Sequence, residues 1–287
     1  MSEVISSGGY SIKRGIPVGK IAIVGVGAMG EAIFRAALEG GWHRESFILT
    51  HHRADRVAEL AGRYGEPVVT DNSSAVRDAD VVLLAVRPQN YPEVLAEIKP
   101  SIKANSLVIS IAAALDIPWL EAHLASNQAI ARAVPPPTSW IRKGVCFLSC
   151  NSRVTAEHRM VINSLFGYTC ERVWWIDDKY IDAVTSICSA ITPYMGLVAS
   201  AIMDAGYSLG VPEEIVEEAV REGCKAAGIM ISDPAWPVPK IIGEVATRGG
   251  LTEASLKAML EGGVPQGIQR GVLRMVERSE ELRKELS

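Results

Sequence analysis

No two cysteines in this chain stand in a CxxC pair. The five present, Cys146, Cys150, Cys170, Cys188 and Cys224, are odd in number and irregularly spaced. That argues against a disulfide framework or structural zinc and predicts reduced thiols that pack as small apolar residues. Cys146 and Cys150 are four apart, but no second ligand pair accompanies them, and no acid or cysteine flanks His51-His52, so no metal is expected. Neither sign of charge dominates: 29 basic against 33 acidic residues give a net charge of −4 and a pI near 5.8. Nucleic acid is therefore not an expected partner. No stretch reaches the ~18 consecutive apolar residues of a membrane span, so no membrane partner is expected either. The opening MSEVISSGGYSIKRGIPV lacks an apolar h-region and reads as a loose N-terminal extension over residues 1–18, with a cytoplasmic location as the corollary. There is no internal repeat, no low-complexity run, and no Ser/His/Asp or Cys/His constellation.

What is present begins at Lys20. The segment KIAIVGVGAMGE carries a fully apolar run, Ile21 to Val24, of the kind that forms a strand buried on both faces. Gly25, Gly27 and Gly30 then fill a GxGxxG. The first glycine allows a tight turn, the second lets backbone approach a pyrophosphate, and the third lets the next helix pack against the strand. From Glu31, EAIFRAALEGG has helical periodicity, with Ile33, Ala36, Ala37 and Leu38 on one face. The motif thus sits between strand and helix, the context it requires, and the helix N-terminus would face phosphates. The candidate contacts are Gly25, Val26, Gly27, Ala28, Met29 and Gly30.

Further strands are expected at Phe47–Thr50, Val68–Thr70, Val81–Val86, Leu107–Ile111, Ala129–Val134, Val145–Leu148 and Val173–Ile176. Helices are expected at Ala54–Gly65, after Asp71-Asn72-Ser73, and at Tyr91–Ile98, Ile117–Leu124 and Ala156–Phe166. The alternation predicts a doubly wound sheet whose ligand lies beyond the carboxyl ends of its strands. No acid occurs from Phe47 to Ala54, where a dinucleotide fold would hold a ribose 2′-hydroxyl; His52 and Arg53 stand there instead. An arginine at this place accommodates a 2′-phosphate, which favours NADP(H) over NAD(H). The other reading of Arg53 is the start of a solvated helix. Ala112, Ala113 and Ala114 are small enough to let backbone approach a cofactor.

Strand signals stop at Asp177. Lys179–Gly210 is long and mostly apolar, and Pro193 should kink or split it. Helices follow from Pro212 to about Ile231 and over Ile241–Val245, Thr252–Glu261 and Pro265–Leu286, with a turn at Asp233–Pro239. The organisation predicted is α/β: an N-terminal Rossmann doubly wound parallel sheet over residues 19–176, then an all-helical dimerisation and substrate domain over 177–287. Helices this apolar predict a homodimer or an assembly of dimers.

Together these segments resemble the pyrroline-5-carboxylate reductase family over about Lys20 to Leu282. The carrying stretches are IVGVGAMGEAI, DADVVLLAVRPQ, LVISIAAAL, DAVTSICSAITPY with DAGYSLGVP, and GGLTEASLKAMLEGG. The resemblance implies a reductase of a cyclic imine that uses NAD(P)H. It places Arg53 and Asn72 near the adenosine end, Ala85, Val86, Arg87 and Pro88 along the cofactor, and Ala112–Ala114 near the nicotinamide. It implies that the helical half completes the substrate site. Departures fall in that half and in the loop after Val134. The family's Asn of MPN-T-P is Pro136 here, its SGSGPAY is CSAITPY with Tyr194 retained, and its SPGGTT is Thr247-Arg248-Gly249-Gly250-Leu251-Thr252.

Leu251 replaces one of two threonines that receive a substrate carboxylate in the family. Each hydrogen bond lost to a charged group costs roughly 1.5–3 kcal/mol. Arg248 is a candidate compensating donor, with a solvated loop arginine as the alternative. The candidate substrate contacts are Thr247, Arg248, Gly249, Gly250 and Thr252, and the candidate catalytic contacts are Thr192, Tyr194 and Thr252. Two other readings stand beside the reductase: a catalytically degenerate NADP-binding regulatory protein, and a β-hydroxyacid dehydrogenase-like oxidoreductase. The second expects a lysine on the first long helix of the second half, and none occurs between Lys179 and Lys225.

Overall fold

The computed structural model describes residues 3–6 and 19–287; residues 1–2 and 7–18 of the expected extension lie outside the described residues. The chain divides into two compact units, one comprising residues up to Ser186 with Val276–Ser287, the other Ile187–Met275.

Among the described residues of the first unit, nine strands form one sheet: β1 (Glu3–Ser6), β2 (Lys20–Val24), β3 (Phe47–Thr50), β4 (Val68–Val69), β5 (Ala79–Leu84), β6 (Leu107–Ser110), β7 (Ala129–Val134), β8 (Val145–Cys150) and β9 (Arg172–Trp175). The order is β1-β9-β8-β7-β6-β5-β2-β3-β4, parallel from β7 to β4. The chain starts at β2, moves out to β3 and β4, then returns to β5 on the other side. The β2/β5 boundary is therefore the point where the winding reverses. Strand β8 runs antiparallel to β7, and β1 antiparallel to β9. Residues 3–6 therefore belong to the sheet rather than to a loose extension.

Six helices cover the sheet: α1 (Ala28–Glu39), α2 (Ala54–Tyr64), α3 (Asn72–Arg77), α4 (Tyr91–Ile98), α5 (Ile117–His123) and α6 (Ala156–Thr169). Successive strand residues face opposite sides. Ile21, Ile23, Leu83 and Ile109 join Phe34 and Phe166 in one core, and Ala22, Val24, Leu84 and Val108 join Tyr91, Leu95 and Trp119 in the other. Several element ends shift by one to three residues from the sequence reading, and two of these shifts bear on the site. Helix α1 starts three residues earlier, inside the glycine motif, because Gly27 caps it. Strand β5 ends at Leu84, so Ala85 and Val86 already belong to the loop.

The remaining helices are α7 (Ile181–Ser208), α8 (Glu213–Ser232), α9 (Val238–Val245), α10 (Leu251–Glu261) and α11 (Val264–Glu285). Helix α7 is continuous through Pro193, which neither splits nor ends it. An interior proline removes one hydrogen bond and crowds one carbonyl, at a cost of about 3 kcal/mol, and the long flanks on both sides carry the helix past it. Asp178–Ser208 has a window of mean hydropathy 1.5 and is long and apolar enough to cross a membrane by length and composition. Thr185, Ser189 and Thr192 break the apolar run in sequence without lowering the average enough.

Helices α1 and α2 are joined by a buried carboxylate. Glu31 is 4% exposed and receives Arg56 at 2.5 Å, Arg63 at 2.6 Å and the Tyr64 hydroxyl at 2.7 Å. Burial raises its carboxyl pKa, but the Tyr64 hydroxyl and the guanidinium groups outweigh that and hold it below the usual carboxylate range. A lowered carboxylate pKa gives stability that is complete above the unfolded value and disappears as pH falls through the folded one. Glu31→Gln is therefore expected to lower the unfolding free energy by about 2 kcal/mol at pH 7. Urea melts should show the gap between the two proteins closing as pH falls through the lowered carboxyl pKa, below the ordinary carboxylate range; an unchanged gap in acid contradicts this.

Candidate functional site

The carboxyl ends of the parallel strands bring the predicted cofactor residues to one edge. Gly25 follows β2 with φ +81°, and a Cβ there would overlap the Val86 side chain beyond β5. Only glycine satisfies both the left-handed backbone and that approach. A Cβ on Gly27 would meet nothing within 4 Å, so the backbone there faces open space. Gly27 caps α1 with no side-chain hydrogen bond, and the first N–H groups of a helix have no intrahelical acceptors. A Cβ on Gly30 would lie 3.1 Å from the Ala85 Cβ, so this glycine sets the distance between α1 and the β5 loop. Val26 is turned inward: its side chain is fully buried and its N–H donates to the Thr50 carbonyl at 2.7 Å. Met29 packs against the same core, which leaves Ala28 and the backbone as the outward parts of the turn.

A polar chain fixes the turn from beneath. The buried Thr50 hydroxyl accepts the Gly25 N–H at 3.1 Å and donates to Asn72 Oδ1 at 2.7 Å, and Asn72 Nδ2 donates to Glu97 at 2.9 Å. Sequence reasoning missed Thr50; its one signal was a hydroxyl closing the otherwise apolar strand FILT. Beyond it, the rings of His51 and His52 stack at 4.5 Å, and the Arg53 N–H donates to His51 Nδ1 at 3.1 Å. Burial, then the charges of His52, Arg53 and Arg56, lower the His51 pKa, which keeps that ring nitrogen an acceptor. Arg53 is the N-cap residue of α2, as the solvated-helix reading has it, and its exposed guanidinium meets Asp55 at 2.9 Å.

The next two loops are held just as firmly. Burial pushes the Tyr91 hydroxyl above the usual phenol range, so it stays protonated. It bonds the Leu84 carbonyl and Ser110 Oγ, each at 2.9 Å, and Ser110 Oγ accepts the Ala112 N–H at 3.2 Å. Arg87 is exposed, and Pro88 opens the short 3-10 turn Pro88–Asn90 that leads into α4. Ala113 is exposed, while Ala114 is buried with φ +74°. That backbone costs a non-glycine residue about 1–2 kcal/mol.

The Ala114 carbonyl accepts Arg283 Nε at 2.7 Å. Arg283 also pairs with Asp116 at 2.9 Å and with Asp182. Asp182 in turn holds Arg132 of β7 at 2.7 Å, and Asp178 holds it at 3.0 Å. Arg132 is 1% exposed, so two carboxylates are needed to keep its charge buried. Ser110, Tyr91, Arg132 and Arg283 were not singled out from sequence.

The predicted substrate residues lie in the second unit. Thr192 is exposed on α7, and Tyr194, half-buried, has its hydroxyl against Gly271 of α11, where a Cβ would overlap it. Thr247 and Arg248 are exposed in the turn before α10, and Gly249 has φ +75°. Gly250 is the N-cap of α10, and the Glu253 carboxylate accepts the Gly249 N–H at 2.6 Å. Leu251 is 93% exposed and Thr252 is exposed beside it. No hydrogen bond among the described residues joins Thr192, Tyr194 and Thr252 to one another.

Gly27 and Gly25 should respond differently to alanine. Gly27→Ala is expected to leave the melting temperature within a few degrees and to weaken NADPH at least about tenfold, because the new methyl occupies the open face. Gly25→Ala is expected to lower stability by at least about 1–2 kcal/mol. Equal NADPH affinity in Gly27→Ala and wild type, by fluorescence titration, contradicts the placement.

Residues 20–114 match the family model described as NADP oxidoreductase coenzyme F420-dependent, and residues 178–282 match the model described as pyrroline-5-carboxylate reductase dimerisation. The pyrroline-5-carboxylate reductase of Corynebacterium melassecola is 29% identical over 92% of this chain and 98% of its own length. The solved structure of a pyrroline-5-carboxylate reductase from Coxiella burnetii is 25% identical with a TM-score of 0.80, covering 92% of this chain and 98% of that one. The Plasmodium falciparum pyrroline carboxylate reductase, solved with NADP bound, shares the fold at a TM-score of 0.83 and 22% identity, covering 93% and 98% of the two chains. With an α/β first unit, a helical second unit and matches that run through both, the chain belongs to the pyrroline-5-carboxylate reductase family.

Proposed function

We propose that this protein reduces a cyclic imine, pyrroline-5-carboxylate or a related ring, with a reduced nicotinamide dinucleotide. The observation that carries the reading is the open backbone face at Gly27, between a strand end and a helix N-terminus. When bound, the carrier supplies hydride to the imine carbon and is oxidised; a proton completes the amine nitrogen. A protonated imine is already electrophilic, so the protein's main task is alignment, which is worth ~7–11 kcal/mol.

The chain's own groups divide that task. The turn Gly25–Gly30 holds the pyrophosphate, and Ala85–Pro88 and Ala112–Ala114 flank the cofactor toward the nicotinamide. His52, Arg53 and Asn72 form the adenosine end. NADP(H) is favoured over NAD(H) because Arg53 is exposed, no acid stands at the end of β3, and an exposed pair such as Arg53–Asp55 is weak enough to re-form on a phosphate. Thr192, Tyr194 and Thr252 are the groups assigned to the substrate ring and its substituents, with Thr247, Arg248, Gly249 and Gly250 beside Thr252.

The exposed apolar side chains of the helical unit, among them Ile191, Leu197, Leu209, Ile229 and Leu273, support a homodimer or an assembly of dimers. A second copy rather than lipid covers α7 in this reading, and the protein is cytoplasmic. Sedimentation at micromolar concentration should give a multiple of 30.9 kDa; a lone chain contradicts it.

Leu251 and Pro136 favour an imine without the usual carboxylate, since both stand where donors were expected. They also keep open a second reading, a relative that binds the carrier without turnover. A panel of five- and six-membered cyclic imines, with and without a carboxylate, tests both. Oxidation of NADPH with matching amine formation is expected, faster on the carboxylate-free rings. NADPH binding with no oxidation on any ring contradicts the reductase and supports the second reading.

A further inference from the structure

The segment after β6 is gripped at both ends, and one grip comes from far along the chain. At its start, Ser110 Oγ accepts the Ala112 N–H, with the Tyr91 hydroxyl behind it. At its end, Ala114 holds φ +74° and its carbonyl accepts Arg283 Nε at 2.7 Å from 169 positions away. Ala113, between the grips, is exposed. Glycine adopts a left-handed backbone freely and alanine does not, so this peptide needs a partner to hold it. The guanidinium suits that work, because its planar fork donates in several fixed directions at once. Arg283 uses them on the Ala114 carbonyl, on Asp116 at 2.9 Å and on Asp182, which is itself tied to the buried Arg132 at 2.7 Å. Asp116 is also the N-cap of α5, where it accepts the Trp119 N–H at 2.9 Å. The clamp is therefore anchored on β7, on α5 and on α7, and leaves the Ala112–Ala114 backbone little freedom.

We propose that Arg283 is a positioning residue for hydride transfer: by fixing the left-handed peptide at Ala114, it sets the wall against which the nicotinamide end of the cofactor rests. The assignment rests on the cofactor reading above, which places Ala112–Ala114 at that end. In that reading affinity for the carrier comes mainly from the phosphate contacts at the glycine turn, whose residues are not among the clamp's partners Ala114, Asp116 and Asp182. Loss of the clamp therefore lowers turnover more than binding.

The test uses the full-length protein and the variants Arg283→Lys and Arg283→Met. Lysine keeps the charge beside Asp116 and Asp182 and lacks the fork, so it separates the clamp from the ion pairs if the methionine variant fails to fold. Hydrogen–deuterium exchange at residues 111–116, without cofactor, should be at least about tenfold faster in Arg283→Lys. The kcat for imine reduction should fall at least about tenfold, with the NADPH Kd changed by less than roughly threefold. In the Ala114→Gly background, the further kcat loss from Arg283→Lys should shrink at least about threefold, since glycine needs no clamp. Unchanged exchange overturns the proposal alone. Faster exchange with unchanged kcat, a Kd loss as large as the kcat loss, or additive losses in the double variant also overturn it. Failure of wild type to bind NADPH sinks the cofactor reading first, and this one with it.

Discussion

The left-handed turn at Gly25 is the constraint on which the rest of the first unit depends. It ends β2 where the winding of the sheet reverses and brings the backbone so close to Val86 that no side chain fits between them. That approach sets the β5 loop beside the glycine turn and lets α1 start at Ala28, with Gly30 against Ala85. The helix N-terminus and the two loop ends then share one edge. A single backbone conformation thereby converts a stack of apolar strands into a place where a phosphate can meet unpaired N–H groups.

The polar groups around that edge hold it by long-range contacts. Thr50 ties the turn to Asn72, Tyr91 and Ser110 tie the β5 and β6 loops together, and Arg132 with Arg283 joins β7, α5 and α7. These side chains are buried or partly buried. An unpaired charge in such surroundings is costly, so each partner is fixed in place by the other's need for it. A rigid edge is what alignment of two reactants requires.

Much of the first unit was legible because its signals are local. An apolar run marks a buried strand, and a glycine's lack of a side chain states the backbone it permits. The direction of β8 was not legible, since residues such as Cys146 and Leu148 read the same in either orientation. Nor was the continuity of α7, because Pro193 weakens a helix locally and only the length of its flanks decides the outcome. Thr50, Ser110 and Arg283 escaped notice for a different reason: each is an ordinary polar residue in sequence, and its role exists only through a partner up to 169 positions away. The glycine turn was the reverse case: its strand–turn–helix geometry was legible in the GxGxxG spacing, although Val26 proved to face the core.

The central claim is that a nicotinamide dinucleotide lies along the carboxyl edge of the sheet. Hydrogen–deuterium exchange of the full-length protein with and without saturating NADPH tests it most directly. The account predicts protection concentrated in residues 25–30, 51–53, 85–88 and 112–114, four segments that are distant in sequence and adjacent only at that edge. No protection, or protection confined to other segments, would contradict it.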